Sequence, residues 1–114
     1  MMANNNQVKV KVCGMTNLKD TLVAVEEGAD AVGFIFYKKS PRSVTMKLVR
    51  EIVLELPPFV DTVGVFVDET EEKINKIADY CNLDMVQLHG DESPAFCKKM
   101  RRRVIKAIRV KDMQ

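Results

Sequence analysis

Three side chains in this sequence could do chemistry: a thiol, a guanidinium and an imidazole. Each stands where a parallel strand would end. Cys13 closes the stretch VKVKVCG, Val8 to Gly14. Strict alternation puts Lys9, Lys11 and Cys13 on one strand face and Val8, Val10 and Val12 on the other. Two ammonium groups on the thiol's face favour the thiolate, the form in which a cysteine can take a proton. Arg42 lies in YKKSPRSVT, Tyr37 to Thr45, a cationic loop punctuated by Pro41. On the residues alone it reads as an ordinary loop cation, although its planar fork matches a carboxylate in a way a lysine cannot. His89 is the only histidine and ends MVQLH. It shares a face with Met85 and Gln87 and is read as lining a site wall, although a lone strand histidine can be purely structural. Lys9, Lys11 and Gln87 are read as polar pairing inside the fold, and Asp68 as the cap of the helix after it. Cys81 and Cys97, on or just after helices, are read as inert.

Nine segments must position these residues. VKVKVCG is the first strand. The helix after it is capped by Asn17 or Thr16, carries a stripe of Leu18, Leu22, Val23 and Val25, and stops at Gly28. AVGFIF, Ala31 to Phe36, reads as a strand buried on both faces. A helix over Met46 to Leu56 ends before Pro57-Pro58. Val63 to Asp68 is a third strand, and Thr70 caps a helix reaching Tyr80 with Ile74 and Ile77 inward. Met85 to His89 is a fourth strand; Ser93-Pro94 opens a helix to about Met100. Val104 to Val110 is a fifth strand. Alternation of strands and helices at this spacing predicts parallel strands joined by right-handed crossovers. No G-x-G-x-x-G follows the first strand, so a barrel segment is preferred to a dinucleotide-binding open sheet. An eight-stranded barrel takes roughly 200 residues or more. The expectation is therefore α/β, a partial (β/α)8 TIM barrel running from the first strand through the fifth. Residues 1–7 read as a flexible polar tail and 8–114 as one N-terminal barrel portion.

Charge is nearly balanced, 18 basic against 16 acidic residues, which gives no reason to invoke nucleic acid or a membrane as partner. The basic run from Lys98 to Arg103 is read as the solvated end of a helix. Three cysteines without a C-x-x-C pair form neither a disulfide framework nor a zinc site, and cytoplasmic reduced thiols are the economical reading. No apolar run approaches the roughly 18 residues of a membrane span.

Taken together, KVCGMTN, EEGADAVGFIFYKKSPRSV, LPPFVDTVGVFVDE and MVQLHGDE resemble phosphoribosylanthranilate isomerase of tryptophan biosynthesis, from Val8 to about Val110. The resemblance implies an Amadori rearrangement of a phosphorylated aminoaldose to a 1-deoxyribulose phosphate, with no metal and no cofactor. It implies that Cys13 is the general base, that Arg42 holds the anthranilate carboxylate, and that His89 lines the active-site wall. It also implies that the general acid sits on a sixth strand and the phosphate grip in loops after the seventh and eighth; Asp112 matches no family aspartate. Two expectations follow for the 114 residues alone. They should be inactive. Apolar edges at VKVKV and VIKAI, broken only by Lys9, Lys11, Lys106 and Arg109, should drive self-association or pairing with a complementing C-terminal half.

Overall fold

A computed structural model describes residues 8–107 of the chain. The tail at 1–7, the last part of the expected fifth strand, Arg109 and Asp112 lie outside the described residues. The order is β1 (Lys11–Val12), α1 (Leu18–Glu26), β2 (Ala31–Ile35), α2 (Met46–Leu54), β3 (Asp61–Phe66), α3 (Glu71–Cys81), β4 (Met85–Leu88), α4 (Pro94–Cys97) and β5 (Arg103–Lys106). All four strand pairings are parallel, and the strands stand in chain order, β1-β2-β3-β4-β5. There is no point where the order reverses, as a doubly wound sheet would require. The sheet curls instead. Lys11 on β1 hydrogen-bonds Gln87 on β4, although three strand spacings of about 4.8 Å would put flat strands roughly 14 Å apart.

The caps explain why the helices begin where they do. Asn17, Thr45, Thr70 and Ser93 each accept a hydrogen bond from a backbone N–H inside the first turn, and Pro94 sits where a missing N–H costs nothing. Gly28, at φ 101°, ends α1 as expected. Strand alternation then separates two faces. Val32, Phe34, Phe66, Val86 and Leu88 point at the helix layer, where Val49, Ile52 and Ile74 meet them. All are at most 1% exposed, and each contributes about 1.5–3 kcal/mol by leaving water. The strand register puts Lys11, Ala31 and Asp61 in one row of the concave face, Gly33, Val63 and Met85 in the next, and Ile35, Val65 and Gln87 in a third.

Several expectations need correction. The first strand is two residues long, not seven. Among the described residues it has a neighbour on one side only; the Val10 carbonyl accepts from the Asp30 and Ala31 N–H groups at 2.8 and 3.2 Å, while the Val10 N–H goes to the Asp30 side chain at 2.8 Å. Val8 and Val10 are 78% and 48% exposed, so of that valine face only Val12 packs on the core. Val23 is exposed and Thr21 takes its place inside α1, its hydroxyl satisfied by the Asn17 carbonyl at 2.7 Å. The helix from Ser93 closes at Cys97 rather than Met100, ending in single turns. The basic run is not simply solvated. Arg101 and Arg102 both reach Asp79, and Arg102 also donates to the Leu83 and Ala78 carbonyls, tying the end of α3.

Candidate active site at the C-terminal strand ends

Cys13 directly follows β1, half-buried. The N–H groups of Gly14 and Met15 both donate to the Gly33 carbonyl at 3.0 Å, which holds the strand end against β2. Gly33 is small for a reason: a Cβ there would stand 3.0 Å from the Cys13 Sγ and 3.4 Å from its Cα. The thiol therefore lies against bare backbone on the concave face.

Arg42 comes to the same place from the loop after β2. That loop is folded by its own turns, Ser40 N–H to the Tyr37 carbonyl and Ser43 N–H to the Ser40 carbonyl, while Val44 N–H returns to the Ile35 carbonyl. Ser40 Oγ accepts the Arg42 N–H at 3.1 Å. The side chain then lies over Gly14. At φ 87°, Gly14 occupies backbone space other residues avoid, and a Cβ on it would come within 2.8 Å of Arg42 Cδ and 3.0 Å of its Nη1. The guanidinium thus packs on the glycine that directly follows Cys13.

His89 is exposed just beyond β4, its N–H donating to the Phe66 carbonyl at 2.9 Å. Its Nδ1 lies 3.5 Å from Gln87 Nε2, and Gln87 in turn takes the Lys11 ammonium. Lys11 is exposed yet committed to Gln87, the pairing partner expected of it. Through this bridge His89 is linked to Lys11 across the concave face. No direct contact links it to Cys13 or Arg42 among the described residues.

Asp68 does not cap α3; Thr70 does. At φ 48°, Asp68 turns its carboxylate across to the next loop, where Oδ1 accepts the Asp91 N–H at 2.8 Å. Its own N–H goes to Glu92 Oε2 at 2.8 Å. Glu92 Oε1 accepts from Gly90 N–H at 2.9 Å and from Lys106 Nζ at 2.8 Å. Gly90 has no room for a side chain, since a Cβ would meet Asp68 Oδ1 at 2.4 Å. Burial pushes the Glu92 carboxyl up, but hydrogen bonds from Lys106 and the Asp68 backbone outweigh it and leave it below its ordinary 4.5. This knot fixes the loop carrying His89. Its only sequence signal was a run of acidic residues after a glycine, which carries no address for the partners.

Cys81 sits as expected of an inert thiol, whereas Cys97 is half-buried. Cys81 is buried, its Sγ donating to the Met46 carbonyl at 3.3 Å, and burial pushes its thiol up to about 11 against the pull of Arg50. Among the described residues no cluster of His, Cys, Asp and Glu could hold a metal ion, and no helix is long and apolar enough to cross a membrane.

Residues 10–114 match the protein family described as N-(5'phosphoribosyl)anthranilate (PRA) isomerase. A protein named N-(5'-phosphoribosyl)anthranilate isomerase from Pelobacter propionicus is 57% identical over 105 residues, 92% of this chain and 50% of that protein. One of the same name from Geobacter sulfurreducens is 57% identical over 106 residues, 93% of this chain and 52% of its own length. The chain spans about half the length of the curated relatives it matches. Among solved structures, phosphoribosyl anthranilate isomerase from Thermotoga maritima aligns with a TM-score of 0.87 at 55% identity, covering 88% of this chain and 50% of that one. A phosphoribosyl anthranilate isomerase in complex with reduced 1-(o-carboxyphenylamino)-1-deoxyribulose 5-phosphate aligns with the same score and identity, covering 88% of this chain and 53% of its own.

Proposed function

Because this chain belongs to the N-(5'-phosphoribosyl)anthranilate isomerase family, we propose that it supplies the general base and the carboxylate grip for an Amadori rearrangement of N-(5'-phosphoribosyl)anthranilate in tryptophan biosynthesis. The observation that carries this reading is the packing of Arg42 on Gly14, the residue that directly follows Cys13. Arg42 holds the anthranilate carboxylate in two parallel hydrogen bonds, which sets the sugar carbons over the thiol. Once the ribose ring has opened to the C1′ iminium, the Cys13 thiolate takes the C2′ proton. The C–H electron pair becomes the C1′–C2′ double bond, and the iminium pair moves onto nitrogen. Protonation of the resulting enolamine at C1′ and loss of the enol proton give the 1-deoxyribulose product. The protein groups act by position and proton transfer alone. By the family resemblance, the acid for ring opening and the grip on the phosphate come from strands six to eight.

A second reading has its own observation. Val10 and Ile105, at the two edges of the sheet, are 48% and 36% exposed, and such edges recruit other chains. The 114 residues by themselves would then be a binding half that self-associates without turnover. An isomerisation assay read by loss of substrate fluorescence, run on the 114 residues alone and after adding a chain with strands six to eight, separates the two. The isomerase reading expects turnover only in the mixture, with sedimentation showing association of the lone chain. Turnover by the lone chain as a monomer contradicts both expectations, and a silent mixture contradicts the isomerase reading.

A further inference from the structure

The hydrogen-bond path from Lys11 to His89 has a direction. A lysine ammonium donates and never accepts. The Gln87 atom facing Lys11 Nζ must therefore be the carbonyl oxygen Oε1, as found. That choice leaves no freedom at the other end of the amide, since Nε2 carries only donors. Nε2 stands 3.5 Å from His89 Nδ1, and this contact is a hydrogen bond only when Nδ1 is the ring nitrogen without a proton. Gln87 is 9% exposed, so an amide turned the wrong way here has little water with which to compensate.

We propose that Lys11 and Gln87 form a two-residue relay that fixes His89 as its Nε2–H tautomer, making them positioning residues for that ring. The charge on β1 is read out three strands away as the placement of one proton. With Nδ1 engaged, Nε2–H is the donor the ring can offer at the mouth of the site. That an anionic or carbonyl oxygen of the isomerase substrate receives it rests on the function proposed above; the tautomer itself does not.

His89 is the only histidine among the 114 residues, so the test needs no assignment. Long-range proton–nitrogen correlation spectra of histidine-labelled protein, at a pH where the ring is neutral, distinguish pyridine-type from pyrrole-type nitrogens. The parent is expected to show Nδ1 as pyridine-type and Nε2 as pyrrole-type. In Gln87→Glu the carboxylate can only accept, and the proton should move to Nδ1. In Lys11→Met the amide is free to turn and the two forms should mix; Lys11→Arg keeps a donor and should restore the parent spectrum. Lys11 is exposed, so its variants keep the test available if a Gln87 variant does not fold. A parent ring protonated on Nδ1, or a tautomer unmoved by Gln87→Glu and by Lys11→Met, overturns the relay. None of these spectra requires substrate, so a failed isomerisation assay and a failed relay are separate results.

Discussion

The two ends of the same sheet use the same kinds of residue in opposite ways. At the N-terminal rim, Asp30 accepts the Val10 N–H at 2.8 Å, and Asp84 accepts the Thr62 N–H at 2.8 Å and its hydroxyl at 3.1 Å. These carboxylates are spent on backbone, and they set where each strand starts. At the C-terminal rim, bare glycines at 14 and 33 leave the Cys13 thiol and the Arg42 guanidinium packed on backbone with their polar ends uncommitted to it. Only between β3 and β4 does that rim resemble the other, where Asp68 and Glu92 take backbone N–H groups to fix the loop of His89. Parallel barrels keep stability at the bottom of the strands and chemistry at the top. Here the division is visible in where each charge is directed.

The comparison breaks most sharply at Arg42. In the assembled barrel, Arg42→Ala should raise KM by the equivalent of about 1.5–3 kcal/mol, the scale of a hydrogen bond to a charged group, which is roughly 10- to 150-fold. Kinetics with a substrate analogue lacking the carboxylate should show no such difference between variant and parent; a difference of equal size would mean that the arginine does not touch the carboxylate. A smaller effect of the opposite kind is expected at the other rim. Asp84→Ala removes the carboxylate that accepts from the N–H and hydroxyl of Thr62, a residue 3% exposed, and should cost about 1–3 kcal/mol of stability in urea. Turnover per folded molecule should stay at the parent value, and a large fall in it would dissolve the distinction between the rims.

The smallest effect lies at Glu92. Its folded-state pKa is depressed, so its contribution to stability is present above the ordinary 4.5 and is lost as pH falls through the folded value. Glu92→Gln cannot titrate. Its stability should fall less steeply with acid than the parent's when urea midpoints are compared across that range; parallel acid limbs would mean the carboxylate is not held as described.

How much of this was legible beforehand depended on distance along the chain. The caps at Asn17, Thr70 and Ser93, and the alternation that sends Val32 and Phe34 one way and Gly33 the other, are decided by neighbours in sequence. They could be read directly. The length of β1 could not, because the Val10 N–H goes to a side chain 20 residues away. Asp68 looked like a cap because aspartates before helices usually are; its partners Gly90, Asp91 and Glu92 arrive only when two loops meet. Arg102 looked solvated for the same reason, its acceptors lying on α3. Within the site, Cys13 and His89 stood out by residue type and strand-end position, whereas the family resemblance set Arg42 apart from an ordinary loop cation. What the sequence did not reveal was that Arg42 packs on Gly14, the residue that directly follows Cys13.

The proposal that the C-terminal end of β1 carries the base is tested most directly by Cys13→Ser in the assembled barrel, with turnover and urea midpoint measured on the same preparation. A serine hydroxyl is a far weaker proton acceptor near neutrality, so turnover should drop on the order of 100-fold or more. KM and the urea midpoint should hardly move, because Sγ and Oγ fill nearly the same space against Gly33. Near-parental turnover in a normally folded Cys13→Ser protein would contradict the assignment.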